Sequence, residues 1–225
     1  MSSDHPSVRV PARPRRLVVM DVDSTLINEE VIELLAQHAG SEREVAEVTH
    51  RAMNGEIDFS ESLRQRVSTL RGLPRSVFAE VAKAATLTAG AVAFVEECRS
   101  RGWPVALVSG GFHEVVDVLA AGLGITHVVA NRLEVDAEGL TGRTYGPVID
   151  AAAKASALHR FAAELDVDGR HTIAIGDGAN DLEMLDQAGI GIAFCAKPTV
   201  HARAPFRVTE RDLTRIFDVV DAVAG

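Results

Sequence analysis

Short apolar runs alternate along this chain with stretches whose apolar residues recur at helical spacing. Leu17–Met20, Val105–Val108, Val128–Ala130, Thr172–Ile175 and Gly191–Phe194 have strand length. Helical periods follow several of them, at Val115–Leu123, Ala155–Leu165 and Leu182–Ala188. This alternation predicts an α/β fold, a Rossmann-like parallel sheet flanked by helices, with ligands beyond the carboxyl ends of the strands.

One stretch breaks the alternation. Between the first and second strands, about Asn28 to Thr88, the pattern is wholly helical. Glu30–His38 reads as one helix stopped by Gly40. Ser41 with Glu44 has the spacing of a capping box for a second helix, ending near Gly55. Phe59–Leu70 reads as a third, closed by Gly72, and Pro74 opens a fourth. The expected organisation is a flexible lead-in over residues 1–16, a core of residues 17–27 and 89–225, and a helical-bundle cap over residues 28–88. A short β-hairpin is expected at Arg132–Thr144, turning at Glu138-Gly139.

Composition narrows the picture. Hydrophobic residues make up 47% of the 225 but aromatics only 4%, so the core is aliphatic. The formal net charge of -9 disfavours nucleic acid and anionic membranes as partners. It also repels a phosphorylated ligand at long range, so a phosphate site must reverse the charge locally. The two cysteines, Cys98 and Cys195, lie far apart and outside any CxxC pattern, which indicates free thiols in a reducing, cytoplasmic setting. The eight histidines show neither HExxH nor HxH spacing, so zinc has no support. No apolar stretch reaches membrane-spanning length, and the Pro-, Ser- and Arg-rich start lacks the apolar segment of a secretory signal.

Four groups carry candidate chemistry. Asp21 and Asp23 stand at the end of the first apolar run. In extended chain, residues two apart point the same way, and such close carboxylates need a cation or a shared proton. Ser109-Gly110-Gly111 links a strand to a helix, where free backbone N–H groups and a hydroxyl make the outline of a phosphate cradle. Lys154 follows Ala151–Ala153 at a helix start, a position a cation favours only with an anionic partner. Ile175-Gly176-Asp177-Gly178-Ala179-Asn180-Asp181 ends another strand with hard oxygen donors of the kind Mg2+ prefers. Each has a plainer reading alone: solvated acids, an ordinary turn, a surface lysine, a helix cap. Together they could neutralise a phosphoryl group and leave a carboxylate oxygen to attack it.

With these motifs the sequence resembles the haloacid dehalogenase superfamily of aspartate-nucleophile phosphatases. The resemblance covers nearly the whole chain after the lead-in. Residues 20–30, 59–74, 108–112, 130–142, Lys154 and 175–185 carry it, and the Arg-containing segment 59–74 is most similar to members acting on phosphoserine. It implies that Asp21 is the nucleophile and that Asp23 is the proton donor and acceptor. Mg2+ would sit on Asp21, the backbone carbonyl of Asp23, and Asp177, with Asp181 supporting it. Ser109, Gly110 and Lys154 would hold the phosphate, with Asn180 nearby. The implied reaction is hydrolysis of O-phospho-L-serine, the last step of serine biosynthesis, on a small-molecule phosphorylated amino acid by a monomer or homodimer.

The residues of the insert bear on the amino-acid end of that substrate. Phe59, Leu63, Arg66 and Leu70 share a helix face, so Arg66 interrupts an apolar stripe and needs an anion. A carboxylate bound by two parallel hydrogen bonds suits it. Glu30 shares a face with Leu34 and His38, while Glu29 and Glu33 lie on another; Glu30 could receive an ammonium. The alternative is an internal Glu30–Arg66 ion pair. Adjacent Glu29 leaves the register open, and Glu30 is chosen for its face and for its distance from Asp21 as in the family pattern. Phe59 and Met53 would wall the pocket. Two other functions fit parts of the pattern: a related phosphatase or phosphotransferase acting on another small metabolite, and a receiver-type module that holds phosphate on Asp. In receivers the acceptor follows a later, central strand, and no large helical insert is present.

Overall fold

The computed structural model describes residues 15–53 and 56–224. In chain order the elements begin with β1 (Leu17–Met20), then α1 (Val31–Ala39), α2 (Glu42–Met53), α3 (Phe59–Ser68) and α4 (Val77–Ala84). Next come α5 (Ala91–Ser100), β2 (Val105–Phe112), α6 (His113–Gly122), β3 (His127–Asn131), β4 (Leu133–Val135) and β5 (Leu140–Thr144). The chain closes with α7 (Ala151–Glu164), β6 (Thr172–Gly176), α8 (Leu182–Gln187), β7 (Ile190–Phe194), α9 (Pro198–Arg203), β8 (Phe206–Val208) and α10 (Ile216–Ala224).

Six strands form one parallel sheet in the order β3-β2-β1-β6-β7-β8, and β4 and β5 form a separate antiparallel pair. The continuous apolar runs fit strands buried on both faces. Alternate residues of β1 show this: Val18 and Met20 enter one hydrophobic cluster, Leu17 and Val19 the other. The chain first builds outward from β1 to β2 and β3, then returns to place β6 on β1's other side. The strand ends on either side of that reversal are where such sheets hold ligands. Strand β1 is first in sequence yet interior in the sheet, so the contrast with receivers rests on chain order and on the insert, not on an edge position.

The four helices α1–α4 occupy the predicted helical stretch, with shifted ends. Glu30 is the N-cap of α1 rather than a helical residue, and Gly40, with φ 65, ends the helix in the left-handed conformation. Asp58 caps α3 by accepting a hydrogen bond from Glu61 N at 2.8 Å. The Ser41 hydroxyl bonds Thr69 Oγ1 at 3.0 Å, tying the start of α2 to the end of α3. The stop expected at Gly55 lies outside the described residues, as do residues 1–14 of the lead-in. Of its remaining members Arg15 is exposed, whereas Arg16 is buried. The hairpin β4–β5 packs on this helical segment through Gly72 N to Leu140 O (2.8 Å) and Leu140 N to Leu73 O (2.9 Å). A single hydrophobic cluster runs from Leu35, Leu63 and Val81 through Phe112 and Leu140 to Phe94, so helical segment and sheet share one core.

Two connections join β1 and α5 to the helices. They are stitched together by an Ile27–Leu87 bridge and by the Asn28 amide, which donates to Thr86 O, Thr86 Oγ1 and Leu87 O. Glu29 adds hydrogen bonds from Thr86 N (2.9 Å) and Thr86 Oγ1 (2.6 Å).

Candidate active site

Three neighbouring strands deliver the acids and the hydroxyl to one end of the sheet. Asp21 follows β1, Ser109 lies in β2, and Asp177 follows β6. Asp21 N donates to Ile175 O at 2.9 Å, fixing the β1 and β6 ends side by side. After Asp21 the chain makes a tight turn closed by Ile27 N to Val22 O (3.0 Å), which swings Asp23 under the start of α1. Strand β2 continues through Ser109–Phe112, farther than the apolar run suggested, with a register shift against β3 between Val108 and Phe112.

The buried polar network is asymmetric. Lys154, in the first turn of α7 and fully buried, donates to Asp21 Oδ1 at 2.6 Å and to Asp181 Oδ1 at 2.7 Å. Asp181 Oδ2 accepts from Gly178 N (2.9 Å) and Asp177 N (3.2 Å), so both its oxygens are engaged. Asp23 is engaged on both sides too: Oδ1 accepts from Val31 N (2.7 Å) and Oδ2 from Ser109 Oγ (3.0 Å). Ser109 Oγ in turn accepts from Gly111 N at 2.7 Å. Asp177 Oδ1 accepts from Thr25 Oγ1 at 3.3 Å. Asp21 and Asp177 each keep one oxygen without a hydrogen bond from any described residue.

Burial drives the electrostatics. It raises the Asp21 carboxyl well above its ordinary range; Asp181 adds to this and Lys154 opposes it. Burial, then the Glu30 charge, pushes Asp23 up to about 7 against the Val31 and Ser109 hydrogen bonds. Asp177 is raised to about 6 by burial and then by Asp181. Burial works against the charge on Lys154, but Asp181 and Asp21 outweigh it and hold the ammonium above its ordinary value. Four buried carboxyls thus face one buried ammonium.

That imbalance makes the donor set fit a divalent cation. One oxygen each from Asp21, Asp177 and Asp181 lie within 4.8 Å of one another, all on buried residues. Asp181 spends both oxygens on Lys154 and two backbone N–H groups, whereas among the described residues Asp177 keeps one oxygen free and Asp21 carries a single hydrogen bond, from Lys154.

A cavity of about 560 Å³ opens on this network. Asp21, Asp23, Glu30, Arg66, Gly110, Asp177 and Asn180 line it, so seven of the polar and glycine residues singled out in the sequence share one hollow. Ser109 and Lys154 stand just behind its wall, bonded to Asp23 and Asp21. Glu30 lines the cavity and accepts from Ser24 Oγ at 2.8 Å, whereas Glu29 is turned to Thr86. No ion pair joins Glu30 to Arg66. The Arg66 guanidinium donates to Ser62 O at 3.3 Å, and burial pulls it below its ordinary pKa while Glu30, Asp23 and Glu33 pull it back. Phe59, Ile32, Ala52, Ile57 and Leu63 supply apolar wall; the Met53 side chain lies outside the described residues.

Several residues of this hollow escaped the sequence reading. Glu33 lines it beside Glu30, not on another face, because Glu30 sits at the N-cap and not within the helix. Lys197 lines it from the β7–α9 loop. Buried Asn131 holds the glycine loop: its amide donates to Gly110 O (2.8 Å) and accepts from Ile149 N (2.9 Å). Its place at the end of a strand run was the available signal.

The parallel sheet thus gathers two acids after its first strand, a buried lysine and a third acid after a neighbouring strand at its ligand-holding end. Residues 18–186 match the family model of haloacid dehalogenase-like hydrolases, and the chain belongs to that family. It is 53% identical over 207 residues to the phosphoserine phosphatase of Streptococcus thermophilus, covering 92% of this chain and 96% of that protein. To the phosphoserine phosphatase of Methanocaldococcus jannaschii it is 40% identical, covering 92% and 99%. Among solved structures it is similar to a phospho-aspartyl intermediate analogue of phosphoserine phosphatase, with a TM-score of 0.86, 41% identity, and 92% and 99% coverage. A substrate-bound phosphoserine phosphatase complex superposes with a TM-score of 0.86 at 40% identity, covering 91% and 98%.

Proposed function

We propose that this hydrolase converts O-phospho-L-serine and water to L-serine and phosphate in the cytoplasm, with Mg2+ as cofactor. The observation that carries the proposal is one cavity lined by the strand-end acids Asp21, Asp23 and Asp177 together with Glu30 and Arg66, which form no ion pair with each other. A phosphate monoester of an amino acid carries complementary groups: a dianion for the acid end once a cation is bound, an ammonium for Glu30, and a carboxylate for Arg66. The named activity of the relatives points the same way.

In the first step the uncommitted oxygen of Asp21 attacks phosphorus and the P–O bond to serine breaks. Asp23 gives its proton to the departing serine oxygen. In the second step water attacks the aspartyl-phosphate, Asp23 takes back a proton, and the bond to Asp21 breaks to release phosphate. The raised Asp23 pKa, about 7, suits a group that must donate and accept in one cycle. Lys154 balances Asp21 and Asp181, Gly110 lines the phosphate end, and the Ser109 hydroxyl, which donates to Asp23 here, would turn to the phosphate when substrate binds. Asp21, Asp177 and the Asp23 carbonyl would hold Mg2+, which supplies positive charge opposite the phosphoryl oxygens. The helical segment of residues 28–88 would act as a cap that opens for substrate and closes to admit one positioned water.

A phosphate-release panel of phosphoserine, phosphothreonine, sugar phosphates and an aryl phosphate, with Mg2+ or EDTA, tests this. Phosphoserine should lead by at least tenfold in kcat/KM and EDTA should abolish release. A sugar phosphate in the lead, or product formed only with an added alcohol acceptor, would move the chain to another substrate class of the same family.

A further inference from the structure

Ser24 adopts a left-handed backbone, φ 57 and ψ 3, which an L-residue other than glycine rarely takes. All of its polar atoms are engaged. Its N–H donates to Glu29 O at 3.1 Å, and its hydroxyl donates to Glu30 Oε1 at 2.8 Å. Its carbonyl accepts two hydrogen bonds from the Arg211 guanidinium, at 3.0 and 3.1 Å. Arg211 comes from the far end of the chain, between β8 and α10, and makes no ion pair with a described residue. Two residues on, Leu213 N donates to Ala89 O at 2.9 Å, on the other connection to the helical segment. Residues 211–213 therefore grip both connections between the sheet and α1–α4.

We infer that Arg211 is a positioning residue for substrate selection. By clamping the Ser24 carbonyl it keeps the left-handed turn, and the turn aims the Ser24 hydroxyl that orients Glu30 toward the cavity. This rests on the reading of Glu30 as the partner of the substrate ammonium. Without the clamp the turn relaxes toward ordinary backbone, the hydroxyl swings away and Glu30 loses its fixed rotamer. The phosphate end is built on β1, β2, β6 and α7, and the Asp23 carboxyl, although next to Ser24 in the turn, stays held by Val31 N and Ser109 Oγ.

The test compares wild type, Arg211→Ala and Arg211→Lys on phosphoserine and on 3-phosphooxypropanoate, the same molecule without the ammonium. Arg211→Ala should lose about tenfold of the wild-type preference for phosphoserine, the worth of one oriented polar contact. The loss should lie in KM for phosphoserine, with kcat/KM for the deamino compound unchanged. Arg211→Lys, one point charge in place of a two-pronged donor, should fall between. Amide hydrogen exchange supplies a readout free of catalysis: residues 24–30 should exchange faster in Arg211→Ala while the melting temperature stays near wild type. Equal losses on both substrates, or exchange unchanged at residues 24–30, overturns the inference. A wild-type enzyme that hydrolyses phosphoserine but shows no preference for the ammonium overturns the role given to Glu30, while the exchange result still judges the clamp. Failure to hydrolyse phosphoserine at all overturns the proposed function instead.

Discussion

Lys154→Met isolates the charge balance on which the site depends. Methionine nearly matches the length of the lysine stem but carries no charge. In the native structure the ammonium is fully buried, 2.6 Å from Asp21 and 2.7 Å from Asp181. Removing it deletes two charge-assisted hydrogen bonds and leaves two carboxylates in a dry interior without their cation. Breaking a buried pair by removing one partner costs about 3–5 kcal/mol. For a chain of this length each kcal/mol lowers the melting temperature by about 2–4 °C, so the variant should melt roughly 10 °C lower. Calorimetry or urea unfolding at neutral pH in EDTA reads this without interference from bound metal. Asp181→Asn completes a double-mutant cycle: with one surplus carboxylate removed, the double variant should be more stable than the two single losses predict, by about 0.5–3 kcal/mol. A Lys154→Met protein within about 1 kcal/mol of wild type, or strictly additive losses, would refute the idea that the lysine offsets these acids.

The other expectations concern chemistry, selectivity and reactivity. Asp21→Asn should abolish turnover, and labelled phosphate trapped on that variant would exclude Asp21 as nucleophile. Arg66→Ala should raise KM for phosphoserine by about 10- to 100-fold through loss of a hydrogen-bonded charge, while an aryl phosphate is spared; equal losses would make Arg66 structural. Gly111→Ala places a Cβ 2.7 Å from Asp23 Oδ2 and 3.0 Å from Ser109 Oγ, so it should displace the Asp23 carboxyl. Its kcat should fall about 100-fold with folding intact, and near-normal turnover would show that Asp23 tolerates movement. Burial pushes the Cys98 thiol up to about 12, so at pH 8 it is almost wholly protonated in the folded state. Iodoacetamide should therefore reach Cys98 only after urea unfolding, and mass spectrometry finding it alkylated in native protein would contradict its packing.

What the sequence reveals about this fold follows from how each element is stabilised. Interior strands of a parallel sheet are apolar on both faces, so β1, β2, β6 and β7 stand out as unbroken runs. The edge strand β8 does not: three residues long, with exposed Arg207 at its centre, it carries no periodicity to find. Helix α5 has apolar residues at Ala91, Phe94, Val95 and Cys98, a readable stripe, but it follows the insert where the strand–helix rhythm is already broken. Glu33 and Lys197 reach the cavity only through tertiary placement, one by the true start of α1 and the other by a loop after β7. The division of labour between the two leading acids is another property that spacing leaves open. Asp21 and Asp23 are the same residue type, two apart, at one strand end. The structure separates them by their partners: one oxygen of Asp21 is pinned by Lys154 and the other is uncommitted, whereas α1 and Ser109 occupy both oxygens of Asp23. An uncommitted oxygen on a carboxylate facing a cation is what an attacking group requires. A carboxyl whose pKa burial and Glu30 raise to about 7, against the hydrogen bonds that hold both its oxygens, suits a proton carrier. The roles proposed for the pair thus rest on surroundings that the Asp21–Asp23 spacing does not contain: Lys154 beside Asp21, and burial with Glu30 beside Asp23.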